Sequence, residues 1–409
     1  LSSLPTTDDD PITAANLTTD PLNAFYIEVT ARPRQIDYLL APVLTARLGG
    51  DGQGPTSGQA DAVAVAGFNS VVCKFPPLMI CNPAEAGGNT GAPFVVVPGQ
   101  LIQLKTKGGG GHWGPGNFGL LDPAQGGQGT PEVVENLAKA IPTGCFSSTV
   151  DLRTGAASNP ISKGINVRFD MYENPGFKNK QNNSEYKPAF NVTKGKYKQG
   201  NKFEDYTGAP PNGRAMPFHD CLAAGTCDTL GPSFHERFMP PADANLADQM
   251  IFWSDYWTTN HPGADFSALY SGGDIDSNGD GVVARKEVYD WENSGAIPVG
   301  DTDGDGDIDS DDALVASSTD GENGNPMNYG GADAPDSTRR DMPVAILNCI
   351  ADGPLNGNTD DVPVVAFAMM FLSHPAEDGS EQTIYAEMVR VLQPGIDDEI
   401  LHDIVQLYR

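Results

Sequence analysis

The sequence predicts an α+β fold, rich in strand and loop, stapled by disulfides and carrying an EF-hand-like calcium-binding insertion. Three observations predict it. Apolar residues alternate with period two in some runs and recur at near-helical spacing in others. Gly 47 and Pro 33 make up about a fifth of the 409 residues, which implies many turns between short elements. Two aspartate-rich loops with calcium-ligand spacing sit in the second half of the chain.

Taken in order, residues 25–31 alternate and predict a strand, and 35–48 carry Ile36, Leu39, Leu40, Val43 and Leu44 close to helical spacing. Residues 61–68 alternate again through Val63, Val65 and Phe68, completing a strand-helix-strand unit. Glycine and proline dominate residues 87–129, including Gly108 to Gly111 ahead of Trp113, and predict loop with some positive φ. Thr130 reads as the cap of a short helix over 130–140 with Pro131 at its first position. Residues 165–171, 343–348, 363–372 and 383–391 predict strands. Residues 397–408 predict a terminal helix with Ile400, Leu401, Ile404, Val405 and Tyr408 on one side. Composition divides the chain into an N-terminal α+β domain (1–150), a central region with a lysine-rich segment (151–265), the calcium-binding insertion (266–320) and a C-terminal α+β segment (321–409) that packs with the rest.

Lys+Arg 25 against Asp+Glu 54 leaves a formal charge of -29, a field that repels nucleic acid and anionic lipid and suits cation binding. No run approaches the roughly 20 apolar residues of a membrane span; the longest, near 362–372, is too short. The chain opens at Leu1 in a polar run with no initiator Met, which reads as a processed or truncated start, so membrane attachment would come only through a missing N-terminal anchor.

Against this acidity, Lys178, Lys180, Lys187, Lys194, Lys196, Lys198 and Lys202 concentrate around Tyr186, Phe190 and Tyr197. They read either as a solvated loop or as a patch for an anionic partner, including the acidic segment of a second copy of the chain. Six cysteines, Cys73, Cys81, Cys145, Cys221, Cys227 and Cys349, fit no zinc spacing and point to an oxidising compartment. Cys73 with Cys81 and Cys221 with Cys227 each flank a short turn-forming loop, which suggests local pairs and leaves Cys145 with Cys349, one of many connectivities open to six cysteines.

The first acidic loop places side-chain oxygens at Asp276, Asn278 and Asp280, the turn glycine at Gly281, a carbonyl ligand at Val282 and a bidentate Glu287, the pattern of an EF-hand loop. The second repeats it with Asp301, Asp303, Asp305, the carbonyl of Asp307, and Asp312 in place of the final glutamate, as in dockerin-type repeats. Two Ca2+ sites are therefore expected. Between Asp274 and Asp320 fourteen acidic residues face two basic ones, so cation binding and local order form one event. The six histidines form no His-x-x-x-His or His-Glu-x-x-His pair, and no nucleophile elbow or phosphate-binding loop is present. The expectation is a protein that is not an enzyme.

The segment Val72-Cys73-Lys-Phe-Pro-Pro-Leu-Met-Ile-Cys81-Asn-Pro, the turn Gly114-Pro-Gly-Asn-Phe-Gly119 and the run Gly164-Ile-Asn-Val-Arg-Phe-Asp170-Met-Tyr172 resemble, in order, motifs of TadG-like proteins of tight-adherence (Flp) pili. Tyr256-Trp257, Asn260-His261, Arg285-Lys-Glu-Val-Tyr289, Trp291-Glu292, Arg339-Arg340, Asn348-Cys349 and Ile384-Tyr385-Ala-Glu387 continue that order, so the resemblance spans residues 20–390. It implies an exported, extracellular or cell-surface component of pilus structure, adhesion or assembly, with other pilus proteins or copies of itself as partners. The family's N-terminal hydrophobic helix and the Asp-x-Ser-x-Ser metal motif of some relatives are absent. A calcium-dependent carbohydrate- or ligand-binding surface module is the alternative reading.

Overall fold

In the computed structural model of the protein, residues 16–17, 26–37, 47, 57–106, 112–122, 130–153, 161–173, 176–180, 183–189, 196–199, 202–205, 216–217, 229–231, 234–238, 245–261, 264–294, 337–353, 355, 359–377, 383–393, 396–397 and 399–407 are described. The chain divides into two units, Leu1–Val71 with His402–Arg409, and Val72–Leu401.

In the first unit, β1 (Tyr26–Asp37) pairs antiparallel with β2 (Ser57–Phe75), and the sheet order is β1-β2-β15, where β15 is Leu401–Leu407. β1 runs through Asp37, so no helix begins at Gln35; of the rest of that expected helix, only Arg47 is helical among the described residues. The terminal segment expected as a helix is the strand β15. Its apolar residues follow helical spacing, and pairing beside β2 overrides that local pattern.

The second unit is built on a sheet of order β10-β11-β4-β14-β13-β12-β3-β5-β7. These strands are β3 (Leu78–Cys81), β4 (Gln100–Thr106), β5 (Asn117–Asp122), β7 (Thr149–Leu152), β10 (Thr229–Gly231), β11 (Phe234–Phe238), β12 (Asp341–Leu347), β13 (Val362–Leu372) and β14 (Thr383–Val391). Parallel pairing of Lys105 with Asn117 and Thr106 with Phe118 joins β4 to β5, so the hydrogen-bonded path closes through β4-β14-β13-β12-β3-β5. β6 (Gly144–Phe146) pairs with the end of β2, and β8 (Lys196–Gln199) with β9 (Lys202–Asp205) forms a separate hairpin. β4 and β5 lie inside the stretch expected to be loop throughout. Gln100 to Leu104 is buried on both sides, so it lacks the half-polar alternation that marks an exposed strand.

One layer of the core sets Ile80, Leu104, Val344, Met370 and Ile384 of the sheet against Val133 and Leu137 of helix α1 (Thr130–Ala138) and Ile161 and Ile165 of helix α2 (Ile161–Asn166). The 165–171 segment expected as a strand is the end of α2 followed by a 3-10 turn, Val167–Phe169, ended by Asp170 in a left-handed conformation at φ 56°. Residues 164–171 are all buried, so their apolar alternation carries no information about a solvent face. Gly164 lets the two helices approach: a Cβ there would stand 2.7 Å from the carbonyl oxygen of Val134. Three further helices, α3 (Leu246–Asn260), α4 (Phe266–Gly272) and α5 (Arg285–Glu292), share an aromatic cluster of Trp253, Tyr256, Trp257, Phe266, Tyr289 and Trp291 that reaches the sheet at Phe371. Among the described residues no helix is long and apolar enough to cross a membrane.

The disulfides are Cys73–Cys145 and Cys81–Cys349, correcting the expected pairs Cys73–Cys81 and Cys145–Cys349. The sheet explains the exchange. Antiparallel pairing sets Cys73 opposite Cys145, and parallel pairing of β3 with β12 carries Cys81 to Leu347, two residues from Cys349. Cys221 and Cys227 lie outside the described residues. Non-reducing peptide mapping is expected to return linked peptides for Cys73 with Cys145 and Cys81 with Cys349; a Cys73–Cys81 peptide would contradict this topology.

Candidate calcium loop and its anchor

Residues 276–287 form a loop between two short helices. Asp265 opens α4 by accepting from the amides of Ser267 (3.0 Å) and Ala268 (3.2 Å), and Gly273 ends it at φ 78°, a left-handed conformation that glycine adopts without a Cβ clash. The buried Ile275 then fixes the entry to the loop. Inside it, the amide of Gly281 donates to Asp276 Oδ2 (3.1 Å), that of Asp280 to Asn278 Oδ1 (2.8 Å) and that of Val282 to Asp280 Oδ1 (2.8 Å). Short Asp and Asn side chains make such local turns because their oxygens reach amides a few residues ahead.

Glu287, in the first turn of α5, ties the two ends of the loop together. Its Oε1 accepts from Ser277 N (2.9 Å), Ser277 Oγ (3.0 Å) and Asn278 N (3.2 Å), and its Oε2 from Ala284 N (3.1 Å). Burial pushes this carboxyl up, the hydrogen bonds from Ala284, Asn278 and Ser277 pull it down, and Asp280 adds repulsion; the net direction is up.

Asp276 Oδ1 is buried and accepts no hydrogen bond. A buried carboxylate oxygen without a partner is costly, and at the first position of an oxygen-rich loop a hard cation would supply the partner. Among the described residues no three His, Cys, Asp or Glu side chains converge on a point that could hold a metal ion. The loop's donors are mixed: the carboxylates of Asp276, Asp280 and Glu287, the amide oxygen of Asn278 and the carbonyl of Val282. That set fits Ca2+, which takes carboxylate, amide and backbone oxygens together. The second loop, with Asp301, Asp303, Asp305, Asp307 and Asp312, lies outside the described residues.

The helix leaving the loop is anchored on the sheet by Glu387 of β14. Its Oε2 accepts from Arg285 N (3.0 Å) and its Oε1 from Lys286 N (3.2 Å), so a carboxylate from a distant strand caps the positive end of α5. Arg285 Nη1 lies 3.4 Å from Glu387 Oε2, with both side chains almost fully buried, and its Nε and Nη2 donate to the carbonyl of Pro217. Burial lowers the Arg285 pKa, and the Glu387 charge opposes that shift.

α3, capped by a reciprocal Asn245–Asp248 box, packs over the loop and this anchor. Trp257 stacks on Trp291 with centroids 5.2 Å apart, and His261 meets both rings. His261 Nε2 and the Tyr256 hydroxyl reach Glu292 Oε1 at 2.8 and 2.5 Å.

Among the lysines, Lys180 is tied into a side-chain network. Lys180 donates to Glu135 Oε1 (2.6 Å) and to the Tyr186 hydroxyl (2.7 Å), while Tyr186 hydrogen-bonds the same Glu135. The hydrogen bond from Lys180, then that from Tyr186, hold the Glu135 carboxyl below its ordinary value. Burial works against the Lys180 charge, but its bonds to Glu135 and Tyr186 outweigh it and leave the pKa raised. Lys178 and Lys187 flank this group in sequence, Lys196, Lys198 and Lys202 lie on the β8–β9 hairpin, and Lys194 is outside the described residues. Sequence reasoning did not assign Gln249, Glu387 or the Tyr256–His261–Glu292 contact; the signal for Glu387 is a carboxylate inside the otherwise apolar run from Ile384 to Met388. No known protein family, curated protein or solved structure matches this chain.

Two outcomes test these contacts. Glu387→Ala leaves Arg285 buried without its carboxylate and is expected to cost about 3 kcal/mol or more in denaturant unfolding; a change below about 1 kcal/mol would contradict the anchor. Asp341 has Oδ2 at 3.4 Å from Lys286 Nζ and a buried Oδ1 without a partner, and burial pushes it up to about 6. Its folded-state value stands above its unfolded one, so its stabilising contribution is complete below about pH 4 and is lost as pH rises through about 6. Asp341→Asn is expected to gain about 2–3 kcal/mol on the wild type between pH 4 and 7; a constant difference across that range would refute the assignment.

Proposed function

We propose that this chain is a non-enzymatic, exported protein of the bacterial cell surface, associated with a tight-adherence-type pilus as a structural, tip or assembly component and fastened internally by calcium. The calcium part is carried by one observation: the buried Asp276 Oδ1 has no partner in a loop whose other groups are already hydrogen-bonded into a turn. The two disulfides support an oxidising compartment. The pilus part rests on the ordered motifs of the sequence. Several of them, Tyr256-Trp257, His261, Arg285 to Tyr289, Trp291-Glu292 and Glu387, meet around α5, which gives residues far apart in the chain a common physical role.

In this reading the cation neutralises the acidic loop and holds α4 and α5 at fixed spacing. At the millimolar calcium of an extracellular setting such a site stays filled, so it acts as a staple rather than a sensor. Binding at a hundredfold over Kd stabilises by about 2.7 kcal/mol. Calcium is therefore expected to raise Tm by roughly 2–4 °C over chelator, and Glu287→Gln to remove most of that rise; equal Tm values with calcium and chelator would refute the calcium reading. For the pilus reading, immunogold electron microscopy of producing cells is expected to label filaments or their tips. Label over the envelope with bare filaments would exclude a subunit or tip role, and glycan binding without self-association would favour the ligand-binding alternative.

A further inference from the structure

The buried side chain of Gln249, in the first turns of α3, places both its polar atoms on the backbone of the acidic loop. Its Nε2 donates to the carbonyl of Gly281 at 2.6 Å, and its Oε1 accepts from the amide of Val283 at 2.7 Å. One helical turn on, the indole Nε1 of Trp253 donates to the carbonyl of Val283 at 3.3 Å. A donor and an acceptor set against the carbonyl of one residue and the amide of the second residue after it is the hydrogen-bond pattern of a neighbouring parallel strand. The primary amide of Gln249 thus does for this loop what a residue of a paired strand would do.

The geometry has a consequence for the residue in the middle. Gly281 C=O, Val283 N–H and Val283 C=O all face α3, and within a trans peptide the C=O and the following N–H point opposite ways. The Val282 peptide groups therefore face away from α3, and the Val282 amide indeed donates to Asp280 Oδ1 on the loop side. The Val282 carbonyl is the one backbone ligand expected of the loop. We propose that Gln249, seconded by Trp253, is the positioning residue that aims the Val282 carbonyl at the cation and sets the loop's affinity, so that the loop binds as a self-sufficient site with its strand edge already occupied. This rests on the calcium reading of residues 276–287.

Both Gln249 atoms are satisfied only by this backbone, so a side chain of equal length without the amide tests the role directly. Gln249→Met is made in the full chain carrying Asp301→Asn, Asp303→Asn and Asp312→Asn, which leaves one loop to read. Tb3+ luminescence, sensitised by the nearby Trp253, and calcum competition against it report affinity; near-UV circular dichroism at saturating calcium reports folding. The expected result is a native spectrum at saturation, calcium affinity lowered about tenfold or more, and a calcium-induced rise in Tm that shrinks at fixed calcium. Gln249→Glu keeps the acceptor for Val283 N but sets a carboxylate against the Gly281 carbonyl, and is expected to weaken binding as well.

Affinity within twofold of the parent for both variants would overturn the proposal while leaving the calcium site standing. Equal losses of Tm with and without calcium, at unchanged affinity, would also overturn it, because Gln249 would then only hold the fold together. The failure of the underlying reading looks different: the parent chain itself would show no cation uptake that Glu287→Gln removes.

Discussion

A carboxylate buried in the middle of a strand constrains much of the second unit. Glu387 lies in β14 among Ile384, Ala386 and Met388, where an ionised group is tolerable only with several donors around it. Those donors are the first amides of α5 and the guanidinium of Arg285. Satisfying Glu387 therefore fixes where α5 begins and which way it runs. Glu287 follows within the same turn, so the far end of the acidic loop is located by a strand that lies a hundred residues away in sequence. α3 then closes over the loop, with Gln249, Trp253 and Trp257 facing it and α5.

Cations are buried on the same principle of saturation by the backbone. Arg339 donates to the carbonyls of Ala138, Lys139 and Lys187, and so occupies the otherwise open C-terminal end of α1. Arg168 reaches Leu137 and Arg339 through their carbonyls. Arg340 donates to the carbonyls of Leu372 and Ser373 and lies over the rings of Tyr289, Phe371 and Phe169. Burial lowers the pKa of Arg168 and of Arg340, yet a guanidinium offers five donors in a plane and holds its proton where a lysine would surrender it. Through these backbone carbonyls the three side chains join α1, the 3-10 turn after α2 and the ends of β12 and β13.

The sequence made some of this legible. Alternation identified the first half of β1 and part of β2, apolar β-prone runs identified the late strands β12 to β14, and the loop spacing identified the residues that turn between α4 and α5. It failed at two segments where burial is two-sided. The run from Gly164 to Met171 and the strand β4 present apolar residues to protein on every side, so period carries no sign of face. β15 shows another limit: its apolar residues have helical spacing, and its neighbour in the sheet overrides it. The disulfides were misassigned for a related reason, since proximity in sequence was used where proximity across a ladder decides. Gln249 was invisible because a buried glutamine reads like any polar residue on a helix until its two partners are known.

The bond between Cys81 and Cys349 has a mechanical meaning. A tether loaded from its two ends transmits force along the shortest covalent route, and here that route leaves the polypeptide at one sulfur and rejoins it at the other. The 268 residues spanned by the bond could otherwise pay out to roughly 900 Å. With the bond intact none of that slack is available, and the acidic loop, its helices and strands β4 and β5 lie off the line of pull. A chain built this way, when tugged from its ends, cannot pay out the residues between these two cysteines.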